Sequence, residues 1–440
     1  MNYELCINDN VKDFIKKHLN DDVNKLALSK FPEEIDKQFV IRQIQAQQIL
    51  KKKLPSWAEN DELIFPKKLS LEQCSSELTA KYKAQLSTKL HETSRKISAD
   101  LCDLVDEKRI LVDLTGGMGV DTAFFSDNFD NTYYVEMQEE LCDIARHNFQ
   151  ILNKNIEVVN DNAEHFLTIC CEVDCIYLDP ARRDEYGRKM VSLHDCSPDV
   201  AELQDVLFEK AKTIMVKLSP MLDIDIVKKE LKNIKEIHIV AVKNECKEIL
   251  VLLSQQTLPM AHGSQLIATD LRENWNFSFT EDEEQNAEWT LADKVGKYLY
   301  EPGVAFMKAG CFKLLSQKYN LDKLHRSSHL YTSDELVPDF PGRIFEVIKV
   351  VPFDKKTKKS LWETQRRKDA KMQSVEDSAT LSLCDSATLK KANIAVRNFP
   401  LSAEELKKNL GLQDGSEFYI FGTTMKGEKK IVVLAKKVHF

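Results

Sequence analysis

Over the first hundred residues, apolar positions recur at helical spacing and do not alternate. "FVIRQIQAQQILKKKLPSW" and "LSLEQCSSELTAKYKAQLSTKLHETSRKIS" each carry an apolar stripe along one helical face. Ser70, with Gln73 three residues later, has capping-box spacing and predicts the start of the second of these helices. Residues 1–105 are read as a helical N-terminal region.

Near residue 108 the pattern changes. The short runs "RILVDL", "TYYVEM", "IEVVN", "CIYLD", "TIMVKL", "IHIVAV" and "ILVLL" are mostly separated by helical stretches such as "MQEELCDIARHNFQIL" and "DIDIVKKELKNI". Alternating strand and helix predicts a parallel sheet with helices on both faces. The last two runs break the alternation. Only "KNECKE" lies between them, too short for a crossover helix, so they predict an antiparallel hairpin. The fold expected over 106–260 is α/β and Rossmann-like: seven strands, six parallel and one antiparallel.

Past 260 the pattern is less regular. "SFTEDEEQNAEWT" reads as an acidic turn region and "YLYEPGVAFMKAGCFKLL" as a short α+β piece, giving a small segment over 261–340. A last α+β domain over 341–440 opens at "FPGRIFEVIKVV" and closes with "FYIFGTTMKGEKKIVVLAKK", strand–turn–strand by its alternation. Within it "DSATL" occurs at 377–381 and again at 385–389, a local duplication in a loop.

Charge changes this picture more than composition does. The chain has 62 Lys+Arg and 70 Asp+Glu, a net charge of −8. Residues 341–440 hold 20 basic and 12 acidic residues, which leaves 42 basic against 58 acidic elsewhere. An acidic body with a basic tail places any polyanion contact at the C-terminal end. No apolar run reaches the roughly 20 residues of a membrane span, and the N-terminus lacks a signal-peptide core. The eleven cysteines are scattered and odd in number, which suits a reducing cytosol. Cys170, Cys171 and Cys175 fit no zinc or iron–sulfur spacing and read as buried apolar residues, so no metal is expected.

The candidate chemistry sits in "LVDLTGGMGVDT", residues 111–122. Three of the chain's thirteen glycines, Gly116, Gly117 and Gly119, fall there within four positions. A strand ending in an acid, then a glycine turn, then a helix is the first βα unit of a doubly wound sheet, where ligands bind at the strands' carboxyl ends. Glycine lets backbone approach a ligand closely. A phosphate-binding P-loop is excluded, because no Gly-Lys-Ser/Thr follows. A dinucleotide fingerprint needs a third glycine where Thr122 stands.

The D-x-T-x-G-x-G order resembles motif I of class I S-adenosylmethionine (SAM)-dependent methyltransferases, and the hairpin resembles the end of their seven-stranded sheet. The resemblance implies a cofactor site of Asp113, Thr115, Gly116, Gly117, Gly119, Asp121 and Thr122. Glu136 and Met137 at the end of the second strand would join it, Glu136 on the ribose hydroxyls. From "NDNAEHF", Asp161 would meet the adenine amine, with Asn162 and Ala163 lining its pocket. SAM has no pyrophosphate, so a carboxylate takes the place of phosphate-binding groups. Each acid also suits a plain structural role: Asp113 and Asp161 as turn formers, Glu136 as a helix-starting acid.

After "CIYLD" comes Asp179-Pro180-Ala181-Arg182-Arg183. In class I enzymes that methylate base nitrogens, this place carries an Asp/Asn-Pro-Pro-aromatic motif. An exocyclic amine has its lone pair delocalised into the ring. A carboxylate and a backbone carbonyl accepting its hydrogens favour the nucleophilic, pyramidal form. Asp179, Pro180 and Arg182 are therefore the candidate catalytic residues, with Ala181 and Arg182 departing from the motif; Asp179-Pro180 also suits a plain strand end. Arginine can stack on a base, and it also binds phosphate. No cysteine is placed for covalent attack on a pyrimidine C5.

The whole chain resembles the bacterial class I methyltransferases that carry a THUMP-like domain. The matching pieces include "LSLEQCSSELTAKYKA", "DLTGGMGVD", "YLDPARR", "VKLSPMLD", "YLYEPGVAFMKAG" and "IAVRNFPLSAEELKKNLGL". The resemblance implies a ferredoxin-like fold over 261–340, with no cluster, and an RNA-binding THUMP-like domain over 341–440. The candidate RNA contacts are Arg183 and, in the basic tail, Arg343, Lys355, Lys356, Arg366, Arg367 and Arg397, each of which also suits an ordinary solvated charge. The expected activity is SAM-dependent methylation of a base nitrogen in tRNA or rRNA, in the cytoplasm, with no membrane partner. The alternatives are an RNA-binding protein with a vestigial catalytic domain, or methylation of a protein or small molecule.

Overall fold

The computed structural model describes residues 8–98, 108–182, 192–255, 263–357, 361 and 391–439. Arg183, Arg366, Arg367, the side chain of Arg182 and the "DSATL" repeat lie outside the described residues. The chain divides into two compact units, residues 1–240 with 247–260, and residues 241–246 with 261–440.

The first unit opens with helices, as the spacing predicts. They include Lys37–Lys53 and Glu77–Ser98. Ser70 is not a cap. It lies inside the short helix Lys68–Gln73, whose N-cap is Lys67. The reciprocal exchange is made by Ser76 and Thr79 before the long helix: the Thr79 N–H donates to Ser76 Oγ (3.3 Å) and the Ser76 N–H to Thr79 Oγ1 (3.1 Å). Two local hydroxyls outcompeted a spacing match.

These helices are packed into the α/β part. Gln43 brackets the backbone of Phe65, donating to its carbonyl (3.2 Å) and accepting its N–H (2.9 Å). Asn148, on the helix Glu139–Ile151, does the same for Ile64 at 2.8 and 2.9 Å. One core holds Leu50, Leu54, Trp57 and Phe65 together with Val120, Tyr134 and Phe149. The boundary expected at 105 therefore separates no independent core.

The central strands are β1 (Ile110–Asp113), β2 (Asn131–Glu136), β3 (Ile156–Asn160), β4 (Val173–Leu178), β5 (Ala211–Leu218), β6 (Ile234–Val242) and β7 (Glu245–Ser254). Pairs β1–β2, β2–β3, β1–β4 and β4–β5 are parallel, and β5–β7 is antiparallel. Strands β6 and β7 lengthen until only Lys243-Asn244 joins them, both with positive φ, the two-residue turn that matches strand twist.

The sheet itself has nine strands, not the expected seven. Residues 265–280, read from sequence as irregular and acidic, form β8 (Gln265–Asp270) and β9 (Trp275–Thr280), paired antiparallel. The order is β9-β8-β6-β7-β5-β4-β1-β2-β3. The acids after Phe279 do not disturb this pairing, because they form a separate capped helix, Glu281–Asn286.

In the second unit a seven-stranded sheet is built from β10 (Tyr298–Pro302), β11 (Asp322–Lys323), β12 (Tyr331–Ser333), β13 (Gly342–Pro352), β14 (Asn393–Arg397), β15 (Phe418–Met425) and β16 (Lys429–Lys437), in the order β11-β12-β10-β13-β16-β15-β14. Strand β13 bonds to β10 on one side and β16 on the other. The sheet thus runs across the boundary expected between 340 and 341.

Candidate active site

The carboxyl ends of β1, β2 and β4 surround a cleft of about 250 Å³. Asp113, the last residue of β1, is buried, and its carboxylate is taken up by its own loop. The Thr115 N–H donates to Oδ1 at 3.0 Å and the Thr122 hydroxyl to Oδ2 at 2.5 Å. Burial pushes this carboxyl up to about 7. Asp113 is therefore an organiser of the glycine turn.

The glycines divide by cause. A Cβ on Gly116 would lie 2.3 Å from the ring of Tyr134, and one on Gly119 would lie 2.7 Å from Phe149, at φ +77°. Both are small because the protein's own rings fill the space. Gly117, at φ +54°, would meet only the Thr115 carbonyl at 3.8 Å. Of the three, only Gly117 has open space beside it.

Glu136 ends β2 and faces the turn. The Gly117 N–H donates to one oxygen (3.0 Å) and the Gln138 N–H to the other (2.9 Å), while the Tyr134 hydroxyl donates to the Gly117 carbonyl (2.6 Å). Met137 follows, highly exposed and lining the cleft. Asp161 lies after β3. Its carboxylate contacts His165 Nδ1 (2.6 Å) and accepts the Asn162 N–H (2.8 Å), and the His165 contact leads in holding it below the ordinary range. Asn162 caps the helix Ala163–Ile169, and Ala163 lines the cleft.

Asp179 follows β4, with its N–H donated to Thr115 Oγ1 at 2.6 Å, which ties it to the glycine turn. Lys217 of β5 reaches its Oδ2 at 2.5 Å. The register explains the meeting: Leu178 pairs with Val216, so Asp179 and Lys217 are the next residues on adjacent parallel strands. Beyond Pro180, Ala181 and Arg182 pair antiparallel with Ser197 and Cys196, which brings Ser197 and Pro198 into the cleft lining.

Sequence reasoning missed the charged cluster around Asp121. Asp121 Oδ2 accepts from the Ser75 hydroxyl (2.7 Å) and the Tyr177 hydroxyl (2.8 Å). Lys83, wholly buried, lies 3.2 Å from Asp121 Oδ1, donates to Ser75 Oγ (2.8 Å) and reaches both Glu248 oxygens (3.2 and 3.0 Å). Burial would raise the Asp121 carboxyl, but Lys83 and Lys217 outweigh it and hold it below the usual carboxylate value. Lys217 could have been noticed in "TIMVKL" as a cation inside an apolar parallel strand. Lys83 could not, since "AKYKAQL" offers two lysines with equal claim to the surface.

Six acids line the cleft, namely Asp113, Asp121, Glu136, Asp161, Glu164 and Asp179, and among the described residues no lysine, arginine or histidine does. The orphaned acceptor Asp121 Oδ1, the open side of Gly117 and the doubly held Glu136 fit a cationic nucleoside ligand without phosphates.

The tail cations are placed unevenly. Arg343 donates to Glu301 Oε2 (2.8 Å) and Arg397 to Glu301 Oε1 (2.8 Å); Glu301 is buried. Both guanidiniums serve an internal carboxylate while remaining about one-third exposed. Lys355 and Lys356 are exposed on a turn after β13. Of the clustered cysteines, Cys175 is buried, with its thiol pushed up to about 12, whereas Cys171 is exposed. Among the described residues, His194, Asp199 and Glu202 lie close enough to share a metal, but Asp199 is already spent on His194 Nδ1 (2.9 Å) and on capping a helix. No described helix is long and apolar enough to cross a membrane.

Residues 298–341 match a family described as a ferredoxin-like domain, and residues 377–437 one described as THUMP domain-like. The crystal structure of a candidate methyltransferase from Porphyromonas gingivalis W83 is 31% identical, covers 100% of this chain and 99% of its own, and superposes with a TM-score of 0.78. The chain belongs to the family of bacterial class I methyltransferases with a THUMP-like domain. More distant matches to the family's chain include an rRNA methylase from Streptococcus thermophilus (16% identity, 39% of this chain and 96% of that one, TM-score 0.28). Another is a 16S rRNA N2 G1207 methyltransferase from T. thermophilus in complex with AdoMet and guanosine (11% identity, 34% and 38%, TM-score 0.27). No curated protein matches.

Proposed function

We propose that the protein is a SAM-dependent methyltransferase that methylates a base nitrogen in tRNA or rRNA in the cytosol. The carrying observation is that Glu136 and Asp179, from separate strands, line one cleft, and that both are anchored on the same glycine turn, through Gly117 and Thr115. When bound, SAM supplies an electrophilic methyl group. Glu136, already fixed by two N–H donors, holds ribose hydroxyls. Gly117 admits the ligand beside open backbone, Met137 and Ala163 offer apolar surface, and Asn162 and Asp161 complete the adenine end.

Asp179 is the acceptor for the target amine. Lys217 occupies its Oδ2 and Thr115 its N–H, so the carboxylate meets the amine in one orientation, and transfer depends on positioning. The Pro180 carbonyl is a second acceptor, and Arg182 is the residue that would stack on the target base or bind its phosphate. The THUMP-like match supports RNA as the substrate, with Lys355, Lys356, Arg366 and Arg367 as contacts and Arg343 and Arg397 contributing their exposed edges. Binding by these cations weakens steeply with salt. A paired base would have to be flipped out of its helix.

The test is incorporation of tritiated methyl from SAM into bulk RNA from a strain lacking the gene and from its parent, with Asp179→Ala as control. Label entering only the knockout RNA, and lost with the variant, is the expected result. An RNase-insensitive product would overturn the RNA reading. Normal SAM binding by Gly117→Arg would overturn the assignment of the cleft.

A further inference from the structure

In the second unit, the loop 324–330 between β11 and β12 is pinned at both ends. The Leu324 N–H donates to the Leu330 carbonyl (3.0 Å) and the Ser328 hydroxyl to the Thr424 carbonyl (2.8 Å), while His325 Nε2 meets Glu428 Oε1 (2.9 Å). The residue this loop displays, His329, is held in an unfavourable way. Its φ is +53°, and its Nδ1 is buried with no partner among the described residues. Burial, with Lys323 and Arg397 nearby, pushes the imidazole down to about 4, so the ring is neutral at neutral pH. A left-handed non-glycine and an unpaired buried nitrogen are both disfavoured, and such features gather at functional sites. The placement yields a flat, half-buried ring stacked on Phe312, with centroids 3.6 Å apart and 26° between planes. The surroundings are electropositive. Lys323, 3% exposed, lies over Phe312 (5.5 Å) and half-buried Trp289 (4.9 Å) and donates to the Arg326 carbonyl (3.2 Å). Burial pushes this amine down to about 8; the acid that opposes the shift, Glu284, is itself held by the Lys313 and Leu314 N–H groups (2.7 and 3.0 Å). Arg326 is exposed, and among the described residues no carboxylate pairs with it.

We propose that this loop is a subsite for one unpaired nucleotide of RNA: a base stacks on the outer face of His329, and its phosphodiester lies toward Arg326, in the field of Lys323. The inference rests on the RNA reading above, and it puts a contact outside the basic tail, within the stretch 298–341. Each part of a nucleotide meets a matching group. Stacking on a ring accepts any base, because every base has a π-face. Arg326 offers charge-assisted hydrogen bonds to the phosphate oxygens. An acidic peptide would engage the cations and leave the ring unused. A base inside a duplex has no free face, so the strand at this loop is single. The pinned loop holds ring and guanidinium in place before the strand arrives, which lowers the ordering cost of binding.

The test titrates a fluorescein-labelled, unstructured oligo(A) into the full chain by anisotropy at several salt concentrations. His329→Asn keeps a residue that tolerates left-handed backbone and removes the ring. It should weaken binding by about 10- to 100-fold, the range for a lost stacked base, with the slope of log affinity against log salt unchanged. Arg326→Ala should instead reduce that slope by about 0.7, the share of one phosphate on a single strand. Wild-type affinity in His329→Asn, or a slope that falls with it, would overturn the stacking site while leaving RNA as the substrate. Displacement of oligo(A) by polyglutamate at equal charge would assign the loop to an acidic protein and overturn it too. No oligo(A) binding by the wild type would sink the subsite; if bulk tRNA and rRNA also failed to bind, the RNA reading would go with it. Should His329→Asn fail to fold, ultraviolet cross-linking of oligo(U) to the wild type decides. A cross-linked peptide spanning 324–330 supports the proposal, and cross-links confined to other peptides overturn it.

Discussion

Replacing Gly116 by alanine should unfold the glycine turn while leaving the cofactor's own space untouched, and Gly117→Ala should do the reverse. At Gly116 the new Cβ would stand 2.3, 2.5 and 2.6 Å from three ring carbons of Tyr134. Carbon contacts relax near 3.5–4.0 Å, so the ring must retreat by about 1 Å. It has nowhere to go: Tyr134 is fully buried, packs edge-on against Phe149 at 5.6 Å, and donates its hydroxyl to the Gly117 carbonyl. Overpacking costs about 1–3 kcal/mol and the strained hydrogen bond about 1 kcal/mol more, a loss of roughly 3 kcal/mol. At Gly117 the nearest atom is 3.8 Å away, so the cost is the left-handed conformation alone, about 1 kcal/mol. Hydrogen exchange of the β2 amides, read by mass spectrometry, measures the first effect; roughly 3 kcal/mol is about 100-fold faster exchange if opening is global. Calorimetry with S-adenosylhomocysteine measures the second, and Gly117→Ala should bind at least tenfold more weakly than its stability loss accounts for. If Gly116→Ala proved as stable as wild type, or if Gly117→Ala were the less stable of the two, the division of the glycines by cause would be wrong.

Other expectations follow from buried charge. Asp113 keeps its proton in the folded state up to about pH 7 and in the unfolded state only to its ordinary value of 3.8. The native form therefore binds the extra proton between those limits, and stability falls as pH rises through that window, by up to about 4 kcal/mol from this group. Asp113→Asn should be the less stable protein at pH 5 and should close the gap at pH 8; a urea-midpoint difference that did not change with pH would refute this. Lys217→Met should leave S-adenosylhomocysteine affinity within a few-fold while lowering methyl transfer by about 100-fold, because Asp179 loses its orientation; Lys217→Arg should recover part of the rate. Glu301→Gln should destabilise the second unit by about 3 kcal/mol, since Arg343 and Arg397 both lose a buried carboxylate. Thermal scanning of the full chain reads that loss, and an unchanged melting profile would contradict it.

The tail shows what sequence reasoning leaves out. Charge count and position offer Arg343 and Arg397 to RNA, and the fold also gives each an internal partner, Glu301, 42 and 96 residues away in the chain. No local pattern reveals a carboxylate that the fold delivers from a distant stretch of the chain. The same limit produced the missing strands β8 and β9: "QLIATD" and "WNFSFT" alternate well enough, but the acidic run directly after them dominated the composition of the window.

Periodicity and glycine spacing by themselves pointed to the helical N-terminus, the parallel strands through β5, the hairpin that closes them and the glycine turn after Asp113, whereas Glu136 and Asp179 were marked by the family resemblance. Those are local properties: a side-chain period of 3.6 or 2, a turn too short for a helix, an acid at the end of an apolar run. Only the tertiary structure decided which glycines serve packing, that the N-terminal helices share a core with the sheet, and that Lys83, Lys217 and Glu248 gather beside the cleft. The physical reason is that a buried charge is set by its partners, and partners 38 to 165 residues apart in sequence meet only when the sheet is assembled.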